Sequence, residues 1–98
     1  MKKRIWFITG ISSGLGKALA NSVMASGDFV IGTFRNHAQV EEFNNAHSEN
    51  GFAYKLDISK ESEIEATINS IINQFGTIDV LVNNAGVGFI GAIEESST

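Results

Sequence analysis

A continuously apolar run, Ile5-Trp6-Phe7-Ile8, passes directly into Thr9-Gly10-Ile11-Ser12-Ser13-Gly14-Leu15-Gly16, and this junction restricts the fold more than any other part of the sequence. The run is short, β-branched and aromatic, and a glycine-rich turn follows it, which marks a strand buried on both faces. From Leu15 the apolar positions become Leu15, Ala18, Leu19 and Val23, a helical spacing that stops at Ser26-Gly27, where glycine suits a left-handed cap. A strand that feeds a helix through a tight turn aims the helix's unpaired N–H groups, at the positive end of its dipole, past the carboxyl edge of the sheet. Glycine keeps that spot open to an anion and lets helix and strand pack closely. The spacing Gly10-x-x-x-Gly14-x-Gly16 differs from the commoner G-x-G-x-x-G turn, and a ligand-free glycine connection is the plain alternative. The setting between a buried strand and an amphipathic helix favours phosphate binding.

The βα alternation repeats along the chain. Phe29-Val30-Ile31-Gly32-Thr33-Phe34 reads as a second strand, closed by Arg35-Asn36-His37, and a weaker helix over residues 38–47 presents only Ala38, Val40, Phe43 and Ala46 as an apolar face. Phe52-Ala53-Tyr54-Lys55-Leu56 is a third strand, and Asp57-Ile58-Ser59 follows it with Ser59 placed to cap the next helix. That helix carries one stripe, Ile64, Ile68, Ile71, Ile72 and Phe75, and ends at Gly76. Ile78-Asp79-Val80-Leu81-Val82 is a fourth strand running into Asn83-Asn84-Ala85-Gly86. Strands separated by helices at this interval require right-handed crossovers and hence a parallel sheet of the α/β class.

With 98 residues the chain is one domain at most, or part of one. Hydrophobic residues at 43% against 18% charged ones are the balance of a packed soluble protein. A net charge of −4 repels nucleic acid and anionic membrane surfaces, so a bound phosphate has to be held locally. The absence of cysteine removes disulfides, thiolate metal sites and cysteine catalysis, fits a cytoplasmic protein, and means that redox chemistry needs a borrowed cofactor. Met1-Lys2-Lys3-Arg4 ahead of the apolar run imitates a secretory signal, but Thr9 and Gly10 break the run too early for a signal or a membrane span.

Three further positions bear on ligand chemistry. Arg35, at the end of the second strand, occupies the place where dinucleotide-binding sheets put an acid for a free ribose 2′-hydroxyl or an arginine for a 2′-phosphate. Phe34-Arg35-Asn36 contains no acid, so the reading favours NADP over NAD, against the alternative of a solvated surface charge. Asp57 is placed either to accept a hydrogen bond from the adenine amino group or to act as an ordinary helix-capping acid. His37 and His47 have no second ligand at metal spacing and read as solvated, so no metal is expected. Phe89 borders a cleft or packs, and Glu94-Glu95 begins a further helix.

Taken together, Thr9-Gly10-Ile11-Ser12-Ser13-Gly14-Leu15-Gly16, Asp57 and Asn83-Asn84-Ala85-Gly86 closely resemble the short-chain dehydrogenase/reductase family, whose motifs T-G-x-x-x-G-x-G and N-N-A-G appear at the expected separation. The resemblance implies the first half of a Rossmann-type doubly wound sheet with strand order 3-2-1-4, residues 1–98 being the N-terminal part of one NAD(P)-binding domain that is incomplete without later strands. It implies that Gly10, Ser12, Ser13, Gly14, Leu15 and Gly16 line the pyrophosphate and adenosine ribose, and that Arg35 holds the 2′-phosphate. Asp57 and Ile58 would contact adenine, Asn84, Ala85 and Gly86 would pass beside the ribose, and Asn83 would tie the central strands together. Members preferring NADP often carry a basic residue just before the middle glycine. Ser13 stands there, so the case for NADP rests mainly on Arg35.

The expected function is hydride transfer between NADP and a small carbonyl or alcohol, by a homo-oligomer when complete; a non-catalytic dinucleotide-binding sensor or interaction module is the alternative. The family's Asn, Ser and Tyr-x-x-x-Lys set belongs to the part after N-N-A-G, so no catalytic residue is expected within this chain and the 98 residues alone are expected to be inactive. The physical need is clear, since a tyrosine with its ordinary pKa of about 10 is a better general acid when a lysine lowers it. The single tyrosine, Tyr54, has Ile58 four residues later and reads as a packing residue, and Ser96 and Ser97 offer no such set. The apolar fourth strand becomes an edge in the order 3-2-1-4, so the isolated chain is expected to be marginally stable or to associate there.

Overall fold

The computed structural model describes residues 3–12, 14–57 and 59–84. Its elements are β1 (Ile5–Ile8), α1 (Gly14–Ala25), β2 (Phe29–Phe34), α2 (His37–Ala46), β3 (Gly51–Lys55), α3 (Glu61–Phe75) and β4 (Val80–Val82). All strand pairs are parallel and the spatial order is β3-β2-β1-β4. The register aligns Ile8 with Gly32 on one side and with Val82 on the other, and Phe34 with Lys55.

This order places helices on both faces. Ile8, Val30, Phe34 and Ala53 pack with Ala20, Val23, Met24 and Val40 from α1 and α2. Phe7, Ile31 and Leu56 pack with Ile71 of α3, flanked by the half-buried Ile64, Ile68 and Phe75. Successive strand side chains point to opposite faces, so β1 and most of β2 are apolar on both, and Phe7, Ile8, Val30 and Ile31 are fully buried. The chain runs from β1 to β2 to β3 in one direction, then returns to add β4 on the far side of β1. Such a reversal opens a crevice at the carboxyl ends of the strands. Among the described residues β4 is an edge, and its three residues are half-buried.

At the amino ends of the strands two carboxylates anchor β1. Asp28 accepts the Arg4 amide and the Trp6 indole N–H, each at 3.1 Å, and Asp79 accepts the Ile5 amide at 2.8 Å. The helix stops expected at Gly27 and Gly76 are present, both glycines having left-handed φ of 100° and 93°.

Three local expectations are corrected. The buried face of α1 is Gly16, Ala20, Val23 and Met24, whereas Leu15 is 77% exposed and Ala18 lies on the solvent side. The inner face contains a glycine, which carries no hydrophobic signal. Ile72 is 42% exposed, at the margin of the α3 stripe. Ser59 does not cap α3, because its hydroxyl donates to Asp57 Oδ1 at 2.8 Å and the N-cap is Lys60, which makes no side-chain cap bond. Glu61 and Glu63 in the first turn supply the negative charge that favours a helix start. No helix among the described residues is long and apolar enough to cross a membrane.

Candidate functional site

The carboxyl ends of the four strands bring together Gly10, Ser12, Gly14, Leu15, Gly16, Arg35, Asp57 and Asn84 along one edge of the sheet. Ser13, Ile58, Ala85 and Gly86, also expected at the site, lie outside the described residues, as do Phe89, Glu94, Glu95, Ser96 and Ser97.

The turn after β1 is shaped by backbone conformation and by clamps from both neighbouring strands. Gly10 and Gly14 have φ of 70° and 63°, a left-handed conformation that side-chain-bearing residues adopt only with strain. The Gly10 amide donates to Thr33 Oγ1 at 2.9 Å and the Ile11 amide to the Thr33 carbonyl at 3.1 Å. From the other side, Asn84 Nδ2 donates to the Gly10 carbonyl at 3.0 Å. A Cβ on Gly16 would run into that same carbonyl oxygen and the Asn84 side chain. Gly16 therefore lets α1 pack closely against the turn after β1, as the third glycine of such turns permits.

The Gly10 and Ile11 amides are bonded to Thr33, whereas the amides of the first turn of α1 have no carbonyl four residues back within the helix. Asn83 accepts the Thr9 hydroxyl at 3.1 Å, and the Thr9 amide donates to the Val82 carbonyl at 3.1 Å, so β1 and β4 are joined just where the crevice opens. This is the strand-tying position expected for Asn83.

Next to the turn, Arg35, Asn36, Lys55 and Asp57 line an open cavity of about 530 Å³ at the ends of β2 and β3. Asn36 is held by its own task, its Oδ1 accepting the Ala38 and Gln39 amides to cap α2. Arg35 is exposed and makes no ion pair among the described residues. Asp57 Oδ1 accepts both the Ser59 hydroxyl and the Ser59 amide, at 2.8 and 3.1 Å. Those two bonds, the hydroxyl first, with smaller contributions from the charges of Arg35 and Lys60, hold its carboxyl below the usual carboxylate range. Asp57 is therefore an ionised acceptor tied into a tight turn rather than a helix cap.

The remaining polar candidates lie elsewhere. Tyr54 donates to Gln74 of α3 at 3.2 Å, and burial raises its pKa, the opposite of what an acid catalyst needs. His37 sits 3.2 Å from Glu41 on the exposed side of α2, and His47 packs against Phe43 in a tilted contact at 4.7 Å between ring centroids. Among the described residues no group of three or more His, Asp or Glu converges. Sequence reasoning missed Thr33 and Thr9. A polar threonine inside the otherwise apolar second strand is the signal that could have found Thr33.

Comparison with known proteins agrees with this geometry. The family model described as short chain dehydrogenase matches residues 4–98. The oxidoreductase BOA17 of Botryotinia fuckeliana is 39% identical over 93 residues, 94% of this chain and 34% of that protein. The 3-oxoacyl-acyl-carrier-protein reductase FabG of Haemophilus influenzae is 36% identical over 87 residues, 89% of this chain and 36% of that protein. Among solved structures, ElxO with NADP bound superposes with a TM-score of 0.78 at 33% identity, over 90% of this chain and 37% of that one. The 3-ketoacyl-acyl-carrier-protein reductase of Brucella melitensis, complexed with NADH, gives 0.76 at 34% identity over 87% of this chain and 35% of that one. The chain thus spans about a third of the length of the relatives it matches.

Proposed function

Since the chain belongs to the short-chain dehydrogenase family, we propose that it is the NADP-binding portion of an oxidoreductase that transfers hydride between the nicotinamide and a small carbonyl or alcohol. The observation that carries this reading is the turn itself: left-handed glycines at 10 and 14, and a Gly16 that leaves no room for a Cβ, at the mouth of the crevice between β1 and β4. These features fit a diphosphate, which needs bare backbone amides and close approach.

In this reading Gly10, Ser12, Ser13, Gly14, Leu15 and Gly16 form the pyrophosphate and ribose cradle, and Asn84, Ala85 and Gly86 border the ribose. Asp57 and Ile58 meet adenine, the ionised Asp57 accepting from its amino group. Arg35, unpaired by any carboxylate among the described residues, takes the 2′-phosphate, which favours NADP. A guanidinium suits that role because its planar fork of donors matches phosphate oxygens. When bound, the nicotinamide supplies or accepts the hydride; residues 3–12, 14–57 and 59–84 bind and orient, and none of them is assigned to proton transfer. Relatives of this chain have been solved with NADP and with NADH, so the cofactor preference rests on Arg35.

Calorimetric titration with NADPH and NADH tests the assignment. Arg35→Ala is expected to weaken NADPH binding by about ten- to a hundredfold, the loss of charge-assisted hydrogen bonds, while leaving NADH within about twofold. Equal losses for both would refute the 2′-phosphate role, and failure of the unaltered chain to bind either would refute the dinucleotide reading.

A further inference from the structure

We propose that Thr33 is a positioning residue for the dinucleotide turn. It fixes the turn in its binding-ready shape before any cofactor arrives. Thr33 is only 1% exposed, sits near the end of β2 and is not part of the glycine motif. The β1–β2 ladder ends at the pair Ile8 and Gly32. One step further, Thr33 extends it in two ways: its carbonyl accepts the Ile11 amide as a ladder bond would, and its hydroxyl accepts the Gly10 amide.

Two consecutive amides are thereby drawn toward β2, and the Gly10 carbonyl is drawn the other way by Asn84. The peptide groups on both sides of Gly10 are fixed, and with them the left-handed φ of 70° that sends the chain into the turn. Glycine has no intrinsic preference for that conformation, so the neighbouring strand has to supply it. Without the hydroxyl, the Gly10 amide lacks its acceptor and the turn samples other conformations. The apparent affinity of a ligand then falls by the fraction of time spent in the competent one.

The inference rests on the dinucleotide reading, and its test separates the two. Thr33→Val keeps the β-branched shape and removes the hydroxyl; Thr33→Ser restores a hydroxyl with less packing. NADPH affinity, amide hydrogen exchange at Gly10 and Ile11 without cofactor, and urea stability are measured on the full chain for all three proteins. Thr33→Val is expected to bind NADPH about tenfold more weakly, the scale of a donor left without its acceptor, and to exchange its Gly10 and Ile11 amides faster. Thr33→Ser is expected to bind within about threefold of the original chain even if its stability is lower. If Thr33→Val lowers stability but keeps both the affinity and the turn protection, Thr33 is merely structural and the inference fails. If no variant binds a dinucleotide, the functional reading fails, and exchange at Gly10 and Ile11 still decides whether Thr33 orders the turn.

Discussion

Replacing Gly16 with alanine sets a local preference against a tertiary constraint. Alanine is favoured over glycine in helices, by about 1 kcal/mol in the interior and less in the first turn where Gly16 lies, and on that ground alone the variant would be more stable. The added methyl, however, would overlap the Gly10 carbonyl oxygen and lie within 3.2 Å of Asn84 Cγ. Asn84 can swing aside only by giving up its bond to Gly10, a loss of about 1 kcal/mol. The Gly10 carbonyl cannot follow, because the Gly10 and Ile11 amides are held by Thr33; forced overpacking of this kind costs about 1–3 kcal/mol. The opposing terms leave a net destabilisation of about 1–3 kcal/mol. For a domain of this size each kcal/mol lowers Tm by about 4–8 °C. Urea unfolding followed by the fluorescence of the single tryptophan, Trp6, whose indole N–H is bonded to Asp28, reads the change. Asn84→Ala in the Gly16→Ala background should relieve part of the clash, so the double variant should be more stable than the sum of the single effects. A Gly16→Ala chain within about 0.5 kcal/mol of the original, or strictly additive effects, would show that α1 does not press on β1 at this point.

Two further outcomes are expected. The Asp57 carboxyl has a folded pKa below its ordinary 3.8, so its contribution to stability is present above that value and is lost as pH falls through the lower folded one. Asp57→Asn should flatten the acid limb of a stability–pH curve, and a carboxyl found by NMR to titrate at or above the ordinary value would contradict the Ser59 turn. Asn44 Oδ1 accepts the Ala53 amide at 2.7 Å and its Nδ2 donates to the Ala53 carbonyl at 3.3 Å, covering the outer edge of β3 as a partner strand would. Asn44→Ala should lower unfolding free energy by about 1–3 kcal/mol and promote association detectable by sedimentation; a monomer of unchanged stability would refute that role.

The alternation of strands and helices, the parallel sheet and the glycine helix stops at 27 and 76 follow from short-range rules, namely apolar period, crossover length and the conformations glycine tolerates, whereas the order β3-β2-β1-β4 was legible only through the family motifs. The placing of Gly10, Gly14, Arg35 and Asp57 along one sheet edge was equally legible, because each follows the end of a strand and parallel strands end on the same side. Tertiary structure decided the rest. Which face of α1 turns inward was settled by Gly16 meeting the Gly10 carbonyl, a contact to which hydrophobic periodicity is blind, so Leu15 and Ala18 remained outside. The start of α3 moved from Ser59 to Lys60 because Asp57 took the serine hydroxyl first. Thr33 and Asn84 became the clamps on Gly10 only through strand neighbours 23 and 74 residues away. Such bonds depend on which chains lie side by side, a relation set by the packed sheet and carried by no local pattern of residues.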